Sequence, residues 1–249
     1  MAFKDFVKRI LPAKISKPIG RMRMLYRERR LQRLSLPDAF NEIYKKGMWR
    51  QGTSLSGLGS EGLFAERYLR FVQDYIKRHG VETIVDAGCG DFYVGSKLCD
   101  NVKKCVALDA SSYIIEINAK RYRDIPQVSF HVADLTAAAL PSGDLILIRQ
   151  VLQHLTNEQI ERVLTNLEAG AWRYALITEE VSDPQRKPAN LDLPTHTIRT
   201  RANLGSGVYV DRPPFNRSAT RVAVIDDASP GKQASSRLLI FELTKRRAA

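Results

Sequence analysis

The chain has 249 residues, 44% of them hydrophobic, and a formal net charge of +12. That length fits one large domain with appendages, and the apolar fraction is enough for a buried core. No run approaches the ~18 apolar residues of a membrane span, and three scattered cysteines (Cys89, Cys99, Cys105) show no metal or redox spacing and fit a reducing cytoplasm.

The charge is concentrated at one end. Residues 1–50 hold fourteen basic side chains against four acids, a balance of +10, whereas the remaining 199 residues balance to +2. We therefore divide the chain into a basic arm, residues 1–37, and a nearly neutral domain, residues 38–249. A nucleic-acid enzyme with a basic groove across its body is disfavoured by this distribution. Within the arm, Phe3, Phe6, Val7, Ile10 and Leu11 recur at helical spacing until Pro12, and Met22–Leu34 is a second helix-compatible basic segment. Such a segment suits peripheral contact with an anionic membrane, or packing on its own domain. No secretory signal is visible, because the start lacks a continuous apolar stretch and a small-residue cleavage site.

Past Tyr44, Trp49 and Arg50, the stretch SLSGLGS (Ser54–Ser60) offers amides and hydroxyls, Ser56 and Gly57 among them, suited to holding a carboxylate or phosphate. Its plainer reading is a linker into the next helix. Ser60 is placed to cap a helix from Glu61 to His79, closed by Gly80, with Leu63, Phe64, Leu69, Val72 and Ile76 as its apolar stripe. Thr83–Phe92, TIVDAGCGDF, is a β-branched strand reaching Asp86 and then a turn with Gly88 and Gly90. The dinucleotide fingerprint is excluded, since its third glycine position is Tyr93. A short helix is expected around Val94–Cys99.

A second strand, Cys105–Leu108, ends at Asp109, nineteen residues after Gly90, where a carboxylate accepts ribose hydroxyls. Ser111 or Ser112 caps the helix that follows. A third strand, Val128–Ala133, closes on Asp134 and Leu135; a fourth, Asp144–Ile148, ends at Arg149-Gln150. His154 then precedes a Thr156/Gln159 capping box and a helix ending at Gly170. The fifth strand, Tyr174–Thr178, is followed by Glu179 and Glu180, and residues 181–219 form a long polar loop with His196, Arg199, Arg201, Asn203, Asp211 and Arg212. A loop of that length suits a substrate lid. Two strands, Thr220–Ile225 and Arg237–Leu243, close the chain around a Pro230-Gly231 turn. Successive strands ending in acids or glycines aim several groups at one crevice beyond the sheet's carboxyl edge.

These residues resemble the class I S-adenosylmethionine-dependent methyltransferases: DAGCGDF is similar to their first motif, ALDAS to the second and VADL to the third. The closer resemblance is to a bacterial branch linked to glycan and surface-polysaccharide genes, carried by SLSGLGS, CGDF, VLQHL, Arg201–Leu204 and Pro213-Pro214-Phe215. The resemblance implies a doubly wound α/β fold, with a mostly parallel seven-stranded sheet and a final antiparallel strand. It implies S-adenosylmethionine as cofactor, held by Ser56, Gly57, Asp86, Gly88, Gly90, Asp109, Asp134, Leu135 and Gln150. An acid commonly stands where this chain has Gln150. Arg201 and Asn203 would bind the acceptor, and no metal site is implied. The expected reaction is O-methylation of a sugar hydroxyl on a glycan or related acceptor, with His154 as first candidate base and Glu179 as second. The alternatives are an RNA or protein methyltransferase guided by the arm, and a non-catalytic cofactor-binding partner protein.

Overall fold

The computed structural model describes residues 22, 24–137, 139–182, 188–226 and 237–245. Seven strands form one sheet: β1 (Thr83–Ala87), β2 (Lys104–Asp109), β3 (Val128–Val132), β4 (Gly143–Arg149), β5 (Trp172–Val181), β6 (Ala219–Asp226) and β7 (Arg237–Leu243). Their order is β3-β2-β1-β4-β5-β7-β6. The first five run parallel, and β7 lies antiparallel to both β5 and β6. The expected final antiparallel strand is therefore present, at an inner position of the sheet. The strand order reverses beside β1, so the carboxyl ends of β1, β2 and β4 open a crevice at that switch point.

The helices are α1 (Leu36–Lys45), α2 (Gly62–His79), α3 (Tyr93–Ser96), α4 (Ser112–Arg121) and α5 (Asn157–Ala169). Strands covered on both faces read as continuous apolar runs, and the alternation within them assigns each residue to a layer. Ile84, Leu145 and Leu147 pack with Leu69, Val72 and Ile76 of α2. Val85, Ile146 and Ile148 pack with Ile160, Val163, Leu164 and Leu167 of α5 on the opposite face. Each fully buried aliphatic side chain contributes roughly 1.5–3 kcal/mol, so these two layers dominate the stability of the sheet.

Local signals held at most helix ends. Ser111 Oγ accepts from Ile114 N–H, Thr156 and Gln159 make the reciprocal capping box, and Gly80 closes α2 at φ 57°. Ser60 does not cap α2. It lies in a 3-10 turn, Leu58–Ser60, and Glu61 takes the cap position without a side-chain bond. The helix expected near Val94–Cys99 is only Tyr93–Ser96, followed by a second 3-10 turn, Cys99–Asn101. β5 outruns its expected end at Thr178 because β7 pairs with it through Val181.

Of the basic arm, the apolar set Phe3–Leu11 lies outside the described residues, as do the Pro230-Gly231 turn and residues 183–187 of the long loop. Residues 24–31 are helical. Leu31 is buried with Ala39 and Ile43, and Arg199 of the loop pairs with Glu28 at 3.1 Å. This part of the arm is packed on the domain, over the loop.

Candidate active site

The glycine turn is pinned from below: Gly88 and Cys89 N–H both donate to Leu108 O at 2.8 Å, tying the end of β1 to β2. Gly88 (φ 86°) and Gly90 (φ 55°) hold left-handed backbone that β-carbons resist. A methyl at Gly88 would overlap Val151, and one at Gly90 would overlap Ser56 Oγ. Gly88→Ala is therefore expected to weaken cofactor uptake by roughly 5- to 150-fold, through strain of about 1–3 kcal/mol at the turn, read by calorimetry.

Asp109 ends β2 beside this turn. Its Oδ2 accepts from Gly90 N–H (3.0 Å) and its Oδ1 from Ser111 N–H (2.9 Å), so the carboxylate is aimed before any ligand arrives. Burial pushes its pKa up to about 6, while the two N–H donors favour the charged form.

The serine-glycine loop is fastened on top by Asp91. Its Oδ2 accepts from Ser54 Oγ and Leu55 N–H, each at 2.8 Å, and Asp91 N–H donates back to Ser56 Oγ at 2.8 Å. From the other side, Arg149 donates to Gly59 O and stacks over Tyr68, 4.9 Å from the ring centre. The Gln150 side chain packs against Gly59, where a β-carbon would collide with its amide. Gln150 itself sits at φ 54°, a strained value for a non-glycine residue.

Between these pieces lies a cavity of about 410 Å3, within the range of small-molecule sites. It is lined by Ser56, Gly57, Gly88, Gly90, Asp109, Asp134, Leu135, Gln150, His154 and Asn203, all expected from sequence. Three other expected residues stand elsewhere. Asp86 faces a separate cavity of about 30 Å3 beneath the turn, with Tyr68 and Arg149. Alternation along β1 explains this, because Val85 and Ala87 face the α5 layer and Asp86 turns to the α2 side. Burial raises its pKa to about 7, against the opposing pull of Arg149.

Glu179 is fully buried on β5 and is not a free base. Its oxygens accept from the N–H groups of Val151 (3.1 Å), Leu152 (2.8 Å) and Gln153 (3.1 Å). Burial drives its pKa up to about 8, opposed by those donors and by Arg201. It braces the turn that carries His154. Arg201 is likewise not an acceptor ligand. Its guanidinium is fully buried and donates to Asn157 Oδ1 (2.9 Å), Leu191 O (3.0 Å) and Leu155 O (2.5 Å), clamping the long loop beneath the β4–α5 connection.

His154 ends a 3-10 turn, Leu152–His154, and its ring lies against Trp49, with centroids 4.5 Å apart and planes at 33°. Its Nδ1 is buried without a hydrogen-bond partner, and burial pushes the pKa down to about 4. Trp49 Nε1 donates to Ile198 O (3.3 Å), and Phe40 and Tyr44 pack around the indole. Asn203 Oδ1 accepts from Thr200 N–H at 3.1 Å, and both residues line the same end of the cavity.

Sequence reading gave Asp91, Tyr44, Trp49 and Arg149 no role. Asp91 stood in CGDF and Arg149 at a strand end, which marked the place but not the partner. Asn41 and Asn118 carried no signal; they reach Ser111 Oγ (2.8 Å) and Gly90 O (2.7 Å) respectively. Among the described residues no cluster of His, Cys, Asp or Glu is placed to hold a metal.

Residues 84–169 match the model of a family described as a methyltransferase domain. No curated protein matches the chain. Among solved structures, the fold is similar to the N-methyltransferase NodS from Bradyrhizobium japonicum in complex with S-adenosyl-L-homocysteine, at TM-score 0.59 and 15% identity, covering 81% of this chain and 98% of NodS. It is similar also to magnesium protoporphyrin IX methyltransferase (ChlM) from Synechocystis with bound S-adenosylhomocysteine, at TM-score 0.54 and 14% identity, covering 84% of this chain and 98% of ChlM. YcgJ from Bacillus subtilis aligns at TM-score 0.54 and 12% identity, over 74% of this chain and 100% of YcgJ. At such identities the likeness speaks for the fold alone. Residues 84–169 thus carry a methyltransferase domain that spans the glycine turn and the crevice, within a fold similar to that of NodS and ChlM.

Proposed function

We propose that the crevice binds S-adenosylmethionine and that the enzyme passes its methyl group to a hydroxyl of a sugar acceptor. The observation that carries the cofactor reading is Asp109: a buried, pre-aimed carboxylate beside a glycine turn too tight for β-carbons, opening on a cavity of about 410 Å3. Asp109 would take the ribose hydroxyls, Asp134 and Leu135 would flank the base, and the Ser56–Gly57 loop would cover the amino-acid end. When bound, S-adenosylmethionine supplies a methyl group already activated by its sulfonium. The protein's share is then to align the acceptor and exclude water.

The acceptor end supports a sugar. Trp49 presents an aromatic surface there, and His154, Thr200 and Asn203 supply polar groups around it. A sugar ring has an apolar C–H face and a polar rim, which suits such a mixture. A hydroxyl must lose its proton during transfer, and His154, kept neutral because burial lowers its pKa to about 4, is the group at this end of the cavity that would take it. The linear strength of so weak a base is modest, so positioning does the larger part.

His154→Ala is expected to lower turnover by about 10²–10⁴ while S-adenosylmethionine affinity stays within a few fold. At saturating S-adenosylmethionine, so that protonation of Asp109 near pH 6 does not limit the rate, wild-type turnover should fall only as His154 protonates near pH 4. An ordinary histidine would halve the rate near pH 6.5. A methyl-release assay across candidate sugars, with pH profiles, tests all of this. Unchanged turnover in the alanine variant would remove His154 from the mechanism. Acceptor binding that collapses with salt would point instead to RNA.

A further inference from the structure

We propose that the outer face of residues 22 and 24–33 is a docking surface for an anionic lipid bilayer, set beside the acceptor end of the crevice. Two stripes divide this segment, which is helical over residues 24–31. Met24, Glu28 and Leu31 turn inward: Leu31 is fully buried, and Glu28 pairs with Arg199 at 3.1 Å. Met22, Leu25, Tyr26, Arg29 and Arg33 recur three or four residues apart on the outside. Met22 is 68% exposed, Leu25 44% and Tyr26 70%. Only nine large apolar side chains are exposed among the described residues, and three of them sit in these five positions. Their concentration here is what needs an occupant.

The surrounding charge names it. Arg27, Arg29 and Arg33 are exposed beside the apolar trio, and the one acid of this helix, Glu28, faces inward. A second copy of the chain would set arginine against arginine, which repels. A nucleic acid would satisfy the arginines but leave Met22 and Leu25 against a phosphate-lined surface. A bilayer accommodates both: the apolar side chains enter the boundary between headgroups and acyl chains, while the arginines meet anionic headgroups. The preceding sequence adds Lys4, Lys8, Arg9, Lys14, Lys17 and Arg21 against a single acid, Asp5.

The placement has a consequence for the acceptor. Through Arg199, and through Leu31 packed with Trp49 and Ile198, the docking helix borders the end of the cavity that holds His154. An enzyme docked by this face meets acceptors at the membrane surface, which selects sugars carried on a lipid anchor. That last step rests on the sugar reading; the docking itself does not.

The test is co-sedimentation of the full chain with vesicles of phosphatidylcholine alone, and of phosphatidylcholine mixed with phosphatidylglycerol, at low and physiological salt. Binding is expected only to the anionic vesicles and should weaken with salt. Each arginine near the surface strengthens binding roughly fivefold, so replacing Arg27, Arg29 and Arg33 together by glutamine should weaken it on the order of 100-fold. Leu25→Ser with Tyr26→Ser should weaken it at both salt concentrations. S-adenosylmethionine affinity, measured without vesicles in the same samples, should not change, which separates failure of docking from failure of the cofactor reading or of folding. Equal binding to both vesicle types overturns the proposal, as does binding that neither variant alters. A dimer, or an RNA complex, that the same variants abolish while vesicles are ignored also overturns it.

Discussion

Asp109→Ala is expected to weaken S-adenosylmethionine binding by about 10²–10⁴, the loss of two hydroxyl bonds to a carboxylate at roughly 1.5–3 kcal/mol each. The size of the effect follows from pre-aiming. Gly90 and Ser111 already hold the two oxygens of Asp109 at 3.0 and 2.9 Å, so wild-type binding spends nothing on orienting them. Removing the carboxylate also leaves those two N–H groups without their acceptor. Asp109→Asn keeps one acceptor and replaces the other with an amide that cannot face the Gly90 or Ser111 N–H. It should fall between wild type and alanine. Calorimetry with S-adenosylmethionine and its demethylated product reads the affinity, and thermal unfolding checks that the turn survives. An alanine variant within threefold of wild type would take the ribose away from Asp109, and the cofactor assignment with it.

Arg201→Met should be the most damaging single change to stability, at about 3–5 kcal/mol. The guanidinium is fully buried and serves Leu155 O, Leu191 O and Asn157 Oδ1, and the bond to Leu155 O is buried as well. Arg201→Lys should recover little, since one ammonium cannot reach three acceptors spread across a planar fork. The denaturation midpoint gives the loss, with an unchanged slope showing that the fold still unfolds as one unit. Because Leu155 directly follows His154, the surviving folded enzyme should also turn over more slowly, with cofactor affinity held within a few fold. Loss of cofactor affinity equal to the loss of turnover would mean that the clamp supports the whole crevice rather than the histidine turn.

The roles of Arg201 and Glu179 illustrate where sequence reading stops. Both are charged residues in motif-like positions near a predicted crevice, and both invite a chemical role. Burial decides otherwise. A carboxylate taken out of water needs donors, and the backbone N–H groups of residues 151–153 supply them to Glu179. A guanidinium in the same situation needs carbonyls, and the loop and the β4–α5 connection supply them to Arg201. Neither demand is visible until chain segments some thirty to fifty residues apart have been brought together. Asp86 was misplaced for a different reason. Strand alternation already put it on the opposite face from Val85, but only the tertiary packing shows that face to be closed off by Tyr68 and Arg149.

What the amino-acid order settled by itself was everything governed by neighbours in the chain. Apolar strand runs, the glycines at positive φ, the caps at Ser111, Thr156 and Gly80, and the Gly90–Asp109 interval all follow from local sterics and short-range hydrogen bonding. The tertiary structure alone decided which polar groups face the cavity and which are consumed as internal supports. It also packed the helix at residues 24–31 over the loop and set Trp49 against His154. Those outcomes depend on desolvation, and how far a side chain is removed from water is a property of distant segments meeting rather than of the segment that carries it.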